Sequence, residues 1–237
     1  MLEGSRPVLE LKQLHAYYGE SHVLHGVNLT VHEGEVVTLL GRNGSGRSTT
    51  LKAIMGLIED RRGSVTLDGQ ECIELSPHQI ARIGIGFCPE ERGIFSSLSC
   101  EENLLLPPIL KDGGLSLGDI YAMFPNLSER RMSPGTRLSG GEQQMLAVAR
   151  IVRTGAKILL LDEISEGLAP VIVNALAKMI SSLRQKGFTI VMVEQNFRFA
   201  APLADRFYIM EHGEIIDTFS QSQLSEKMGM LHEFLGV

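Results

Sequence analysis

One stretch near the amino terminus limits the fold more than any other part of the sequence. The run EVVTLL, residues 35–40, is apolar almost throughout, as a strand buried on both faces is. The glycine-rich GRNGSGRS follows at 41–48, and STTLKAIMGLI at 48–58 has the spacing of a helix. Strand, glycine-rich loop and helix in this order are the context of a phosphate-binding loop. We therefore expect an α/β protein with a mostly parallel sheet.

This loop matches the phosphate-binding template except at one position. The template is Gly, four residues, Gly, Lys, then Ser or Thr, and Arg47 stands where lysine is usual. Glycines let successive N–H groups curl around an anion at the start of a helix. Ser48 is placed to ligate Mg²⁺ through its hydroxyl. The predicted nucleotide-binding residues of the loop are Gly41, Asn43, Gly44, Ser45, Gly46, Arg47, Ser48 and Thr49.

A second apolar strand ends in two carboxylates. KILLLDE, residues 157–163, places Asp162 and Glu163 at the carboxyl edge of the sheet, where ligands of open α/β folds bind. We predict that Asp162 holds Mg²⁺, directly or through water, and that Glu163 is the general base for an attacking water. Such a pair alone is often a solvated strand end, but the loop upstream makes it a candidate site.

The rest of the chain alternates between strand and helix patterns. Further strands are predicted in 8–19, 23–31, 63–69 and 188–195, with two more in 205–219. Further helices are predicted in 77–84, 102–110, 117–125, 142–155 and 170–187, with a short helical tail. The last two strands lie about a His-Gly turn, and an antiparallel β part is expected beside the mostly parallel core. The helical stretch at about 98–153 reads as a subdomain inserted in one domain, 1–237.

Charge and cysteine content limit the partners and the compartment. The net charge of −6 argues against nucleic acid as the main partner. We find no apolar run near the roughly 18 residues needed to span a bilayer, and MLEGSRPVLELKQ at the start lacks a signal-peptide core. Cys72, Cys88 and Cys100 show no paired metal spacing and are expected to be reduced thiols. A cytoplasmic protein is expected.

A third motif identifies the family that the chain resembles. LSGGEQQMLAVAR, residues 138–150, resembles the signature motif of ATP-binding cassette (ABC) proteins. Its signature residues here are Ser139, Gly140, Gly141 and Glu142. In that family this surface meets ATP held by the other subunit, so the resemblance implies a nucleotide-sandwich dimer. It extends from about residue 9 to the end and implies a RecA-like core, with ATP and Mg²⁺ as cofactors.

Several other positions take roles from this resemblance. Tyr18 matches the aromatic residue that stacks on adenine, with Tyr17 as the alternative. Glu90 in FCPEERGIF occupies the usual glutamine of the coupling loop, and Ala169 in SEGLAP stands where an aspartate is common. Gln195 in VEQN replaces the usual switch histidine. Glutamine still donates a hydrogen bond to a γ-phosphate, but it does not become cationic near neutral pH.

VEQN, SEGLAP, PEERGIF and LADRFYIMEHGEI together are most similar to one ATPase subunit of bacterial importers for branched-chain amino acids, with close relatives for amides and urea. The resemblance implies membrane-spanning permease subunits, an identical or paralogous ATPase partner, and a periplasmic solute-binding protein that acts indirectly. It places the chain on the cytoplasmic face of the inner membrane, and implies no nucleic acid. Ile94 and Phe95 have two readings: local burial, or packing on a coupling helix of the permease.

The arginine at position 47 leaves open whether the chain hydrolyses ATP or only binds it. Arginine retains the charge of lysine but brings a larger planar fork. Phosphate binding should survive, whereas misplacing a catalytic group by about 1 Å can cost on the order of 100-fold. We expect an active ATPase of reduced rate. The rivals are an ATPase that drives export of a lipid or drug, a soluble ABC protein acting on DNA or ribosomes, and a regulatory module that binds ATP without turnover.

Overall fold

The computed structural model describes residues 6–235, so residues 1–5 and 236–237 of the expected single domain lie outside the described residues. The strands are β1 (Pro7–Tyr18), β2 (Ser21–His32), β3 (Val36–Leu40), β4 (Asp60–Leu67), β5 (Gln70–Glu71), β6 (Ile85–Cys88), β7 (Ile158–Asp162), β8 (Thr189–Glu194), β9 (Arg206–Glu211) and β10 (Glu214–Ser220). The helices are α1 (Arg47–Ile54), α2 (Pro77–Ile83), α3 (Cys100–Leu105), α4 (Leu117–Met123), α5 (Pro125–Glu129), α6 (Gly140–Arg153), α7 (Pro170–Gln185), α8 (Phe197–Ala200) and α9 (Leu224–Leu235).

A six-stranded sheet forms the centre of the molecule, in the order β10-β9-β3-β8-β7-β6. Its strands are parallel except for β10, which pairs antiparallel with β9 across a His212–Gly213 turn. Because β3 and β7 run in the same direction, the loop after β3 and the carboxylates after β7 come to the same edge. The fold class predicted from the sequence, α/β with a mostly parallel core, is confirmed.

A second sheet, antiparallel, has the order β2-β1-β4-β5. It covers one face of the central sheet, and the two sheets enclose one apolar cluster together with α1. Side chains alternate along the buried strands: Val191 and Val193 lie in this cluster, whereas Ile190 and Met192 enter the cluster of α6 and α7 on the opposite face. Strands buried on both faces must be apolar at every position, which explains the continuous runs in the sequence.

Helices α3 to α6 fall within the stretch 98–153 that was predicted to be helical. Their buried residues share one apolar cluster with the central sheet. A third cluster packs β9, β10 and α8 against α9. Within residues 6–235 no helix has both the length and the apolar character needed to cross a membrane.

Two predicted helices, 48–58 and 102–110, extend furthest past the observed helix ends. The pattern over 102–110 was wrong beyond Leu105, where α3 ends, because Pro107 lacks an N–H and disfavours a helical residue before it. The pattern over 48–58 was wrong beyond Ile54, since Gly56 takes a left-handed conformation with φ +71° that ends the helix. Strand β6 and the short helix α8 were not predicted, because each is about one turn or four residues long.

Candidate nucleotide site

The glycine-rich loop occupies the turn between β3 and α1, as predicted. A Cβ atom at Gly41 would lie 2.4 Å from the carbonyl oxygen of Met210, so only glycine fits this close approach. Gly46 is the residue before α1 and has φ +105°, in the left-handed region that favours glycine. The first N–H groups of α1 therefore point out of the helix start towards the loop, as an anion site requires.

The loop serine and the strand-end aspartate lie in contact. Ser48 Oγ donates a hydrogen bond to Asp162 Oδ1 at 2.8 Å. Burial raises the pKa of Asp162 to about 6, while the Ser48 hydrogen bond acts in the opposite direction. A hydroxyl beside a carboxylate, with room for water, is the donor set that Mg²⁺ prefers. The predicted metal ligands, Ser48 and Asp162, thus fit a magnesium ion held with a nucleotide.

Arg47 makes an ion pair with the predicted general base. Its Nη2 atom donates to Glu163 Oε1 at 2.6 Å, and the two side chains are only 4% and 11% exposed. Nη2 also lies 3.5 Å from Asn43 Oδ1. Glu163 has φ +46°, a conformation uncommon for residues with a Cβ, directly after β7. Sequence reasoning placed both residues in the site but gave no sign that they touch.

Three carboxylates gather at one side of this pair. Oxygen atoms of Glu90, Glu163 and Glu166 lie within 4.8 Å of one another. A hydrogen bond with Glu163 and its negative charge raise the pKa of Glu166. Glu166 lies in the SEGLAP stretch, where the sequence predicted no role for it. Its only signal in the sequence was an acid three residues after Glu163.

The loop and these carboxylates enclose a cavity of about 330 Å³. Its lining contains most of the predicted site: Val23, Asn43, Gly44, Ser45, Gly46, Arg47, Ser48, Thr49, Glu90, Glu163 and Glu166. Asp162 does not line this cavity but is hydrogen-bonded to Ser48, which does, and Gly41 lines a smaller cavity of about 230 Å³. The lining combines the Arg47 guanidinium and the start of α1 with the carboxylates of Glu90, Glu163 and Glu166, so the cavity suits an anion that also carries a cation.

The two tyrosines at the end of β1 differ in their surroundings. Tyr17 stacks on His22 with ring centroids 4.2 Å apart, and the Arg62 guanidinium lies 4.8 Å above the Tyr17 ring. Tyr18 is 49% exposed. An exposed ring is free to accept a planar ligand, whereas the Tyr17 ring already contacts His22 and Arg62. The assignment of adenine stacking to Tyr18 is compatible with this geometry and stays a prediction.

The signature residues form the start of α6. Ser139 caps the helix by accepting from the Glu142 N–H at 3.3 Å, and Glu142 accepts from the Ser139 N–H at 2.7 Å. Ser139 is exposed, while a Cβ at Gly141 would lie 2.5 Å from Ile172. The Arg92 side chain connects α6 to the coupling loop through the two glutamines after Glu142. The signature surface therefore faces outward, as a second subunit would require.

Three other residues with expected roles lie in the loops that follow β6 and β8. Gln195 is exposed after β8, and the helix cap at this point is Asn196, whose side chain accepts from the Phe199 N–H. Ile94 is half-buried against the cluster of α6 and α7, whereas Phe95 is 48% exposed, and packing of this pair on a permease helix stays a prediction. The role of Gln195 stays a prediction.

Sequence reasoning missed one buried acid next to the site. Glu194, at the end of β8, accepts hydrogen bonds from the Ser165 N–H at 3.2 Å and hydroxyl at 2.7 Å. Burial raises the pKa of Glu194 to about 8. The carboxyl therefore links the end of β8 to the loop after Glu163. Its only signal in the sequence was an acid that ends an apolar strand.

A glycine-rich phosphate loop, a hydroxyl–carboxylate pair and a second carboxylate on a parallel sheet define a P-loop nucleotide-binding protein. The family model described as ABC transporter matches residues 24–166. The chain belongs to the ABC transporter family and is an ABC-type ATPase cassette. Proteins of this family work with membrane permeases and dimerise.

Relatives of two transport types are similar over most of the chain. The high-affinity branched-chain amino acid transport ATP-binding protein BraG of Pseudomonas aeruginosa is 40% identical over 212 residues, covering 88% of this chain and 91% of BraG. The lipopolysaccharide export protein LptB of Haemophilus influenzae is 33% identical over 235 residues, covering 97% of each. A probable LivF from Archaeoglobus fulgidus is 34% identical over 223 residues, covering 92% of this chain and 94% of LivF.

Solved structures agree with the fold. A nucleotide-free ATP-binding cassette superposes with a TM-score of 0.82 at 23% identity, covering 94% of this chain and 96% of that one. A dimeric cassette in a post-hydrolysis state, bound to ADP and phosphate, has a TM-score of 0.79 at 26% identity, covering 90% of this chain and 98% of that one. The predicted architecture and the predicted ATPase class are confirmed.

Proposed function

We propose that this chain is the ATP-hydrolysing subunit of a bacterial importer for branched-chain amino acids. The choice of solute rests on the 40% identity between this chain and BraG over 88% of the chain. The chain acts on the cytoplasmic face of the inner membrane, bound to permease subunits that a periplasmic binding protein loads with solute. It works as one domain, 1–237, with a helical subdomain at about 98–153.

The residues around the cavity divide the reaction among them. The loop binds the phosphates, Tyr18 stacks on adenine, and Ser48 with Asp162 holds Mg²⁺, which neutralises phosphate charge when bound. Glu163 takes the proton of the attacking water while the water oxygen bonds to the γ-phosphorus and the bond to the β–γ bridging oxygen breaks. Gln195 donates a hydrogen bond that orients the γ-phosphate. A partner subunit of the same type covers the nucleotide with its signature residues, which correspond to Ser139, Gly140, Gly141 and Glu142.

Phosphate release tests the chemistry. The purified chain with Mg-ATP should release phosphate, and Glu163→Gln should lower the rate by at least about 100-fold, since general base catalysis contributes that much. Removing Mg²⁺ with EDTA should abolish release while ATP still binds. ATP binding without release from the unaltered chain would contradict hydrolysis by this subunit alone.

Uptake tests the solute. Deleting the gene in its native cell should lower uptake of radiolabelled leucine, and the Glu163→Gln gene should fail to restore it. A second candidate is export of a lipopolysaccharide, favoured by the 97% coverage of LptB at 33% identity. Normal leucine uptake with a defect in surface lipopolysaccharide would replace the first candidate by the second. Urea or an amide as the labelled solute distinguishes the remaining importers.

A further inference from the structure

The guanidinium of Arg47, a residue that lines the nucleotide cavity, has two terminal nitrogens with different surroundings. One end, Nη2, is engaged with Glu163 Oε1 at 2.6 Å. The other end, Nη1, is buried, and among residues 6–235 no atom accepts a hydrogen bond from it. The whole side chain is 4% exposed and lines the cavity beside Ser48 and Thr49. A buried donor without a partner is rare and costly, so it indicates an acceptor that is supplied from outside the chain.

The surroundings of Arg47 indicate the chemical class of that acceptor. Arg47 is the first residue of α1, whose free N–H groups also favour an anion. The nearby carboxylates of Glu90, Glu163 and Glu166 weaken the binding of an anion that lacks a counter-cation. A nucleotide phosphate with its bound cation meets both conditions.

We propose that Arg47 is a positioning residue that holds Glu163 with Nη2 while Nη1 binds a phosphate oxygen of the nucleotide. Arg47 thus connects the phosphate to the general base, because two nitrogens of the same rigid group each contact one of them. This inference rests on the proposed function, because the base is the one used for ATP hydrolysis. It assigns the arginine a task beyond replacing a lysine.

The chemistry of the two cations explains why arginine serves here. The guanidinium is planar, and its donors diverge in a fixed fork, so it holds two acceptors at a set separation. Lysine has one flexible nitrogen that behaves as a point charge. A lysine ammonium also has three donors, but all three leave one atom on a flexible stem, so a lysine at this position holds the carboxylate less firmly relative to the nucleotide.

Steady-state kinetics test the positioning role. Arg47→Lys should lower kcat on the order of 10- to 100-fold and change KM by less than about threefold, because charge is kept while the base is misplaced. Arg82→Lys, at an exposed position of α2, is the matched control and should leave both constants unchanged. Equal or higher kcat in Arg47→Lys would overturn the proposal, provided that Glu163→Gln abolishes turnover.

A binding cycle tests the link without turnover. ATP affinity is measured in EDTA for the unaltered chain, Arg47→Met, Glu163→Gln and the double variant, with Arg47→Gln as a second charge-removing variant if Arg47→Met unfolds. In the Arg47→Met background the Glu163 charge is no longer neutralised by arginine. Glu163→Gln should therefore improve ATP affinity more in that background than in the unaltered chain. The expected difference between the two backgrounds is on the order of fivefold or more.

The two experiments separate this proposal from the proposed function. Effects of the two substitutions that add to within about twofold would overturn the connection between Arg47 and Glu163, even in an active ATPase. A coupled cycle in a chain that releases no phosphate would keep the connection and contradict hydrolysis.

Discussion

Buried ionisable side chains decide the properties of the site at the level of single residues. Arg47 and Glu163 neutralise each other in a region where an unpaired charge would be costly. Asp162 and Glu194 have no cation hydrogen-bonded to them among the described residues, and burial raises the pKa of each, to about 6 and about 8. The carboxyl of Glu194 is therefore mostly protonated at neutral pH in the folded chain.

Glu194 makes stability depend on pH. Because its folded pKa is raised, the folded state retains a proton that the unfolded chain releases, and stability falls as pH rises from about 4.5 to about 8. Glu194→Gln should remove this loss. The melting temperature of the variant should therefore rise relative to that of the unaltered chain as the pH increases from 5 to 8.

The control is Glu102→Gln, a cap residue whose pKa is lowered by hydrogen bonds from Ser99. Its melting-temperature difference from the unaltered chain should stay constant over the same range, and glutamine still suits this cap. A Glu194→Gln difference that is equally constant would contradict the raised pKa. Differential scanning calorimetry in buffers of low ionisation enthalpy provides both series.

Helix ends set the connections at the level of elements. Helices α6 and α7 both end before a glycine with positive φ, +89° at Gly155 and +81° at Gly187. Around Gly187 nothing lies within 4 Å of a Cβ, whereas at Gly155 a Cβ would lie 2.0 Å from the carbonyl oxygen of Lys111. The loop before α4 therefore packs directly on the end of α6, also through N–H bonds to Thr154.

These two glycines form a matched pair of mutations. Gly187→Ala should cost about 1 kcal/mol of unfolding free energy, from backbone strain alone. Gly155→Ala should cost about 3 kcal/mol or more, because the Lys111 loop must also move. Urea denaturation measures both. Equal costs would mean that the loop adjusts freely to the added methyl group.

At the scale of the whole molecule, the structure bears on how two chains assemble. The phosphate loop and the signature helix face outward from one chain, and a similar cassette with a TM-score of 0.79 is described as a dimer bound to ADP and phosphate. Ser139 caps α6 and is exposed, so this end of the helix is accessible to a second molecule. A complete site is thus expected from two chains, each supplying one half.

A charge placed at the signature serine tests this assembly. Glu163→Gln should dimerise with Mg-ATP, since hydrolysis no longer separates the subunits. Adding Ser139→Asp keeps a good helix cap but sets a negative charge against the phosphate, and should weaken the dimer by more than about 10-fold. Ser116→Asp makes the same change at the cap of α4 and should leave the dimer intact. Sedimentation velocity measures all three, and equal dimerisation would exclude the sandwich geometry.

Local patterns were sufficient for most elements and for the residues of the loop. Continuous apolar runs predicted β3, β7 and β8, and their carboxyl ends predicted where Ser48 and Asp162 meet. These features depend on neighbours in the chain and on the direction of parallel strands. Short elements such as β6 and α8 lacked such a pattern, because four residues carry too few periods to be recognised.

The sequence by itself determined the α/β class, the phosphate loop and the family, because glycine spacing and strand periodicity are local properties. Only the tertiary structure decided that Arg47 pairs with Glu163, 116 positions away, and leaves Nη1 without a partner among the described residues. It also decided that Glu194 is buried against Ser165 and that Tyr17 is packed while Tyr18 is exposed. Contacts between distant residues and burial depend on how the sheets and helices pack, which no single segment encodes.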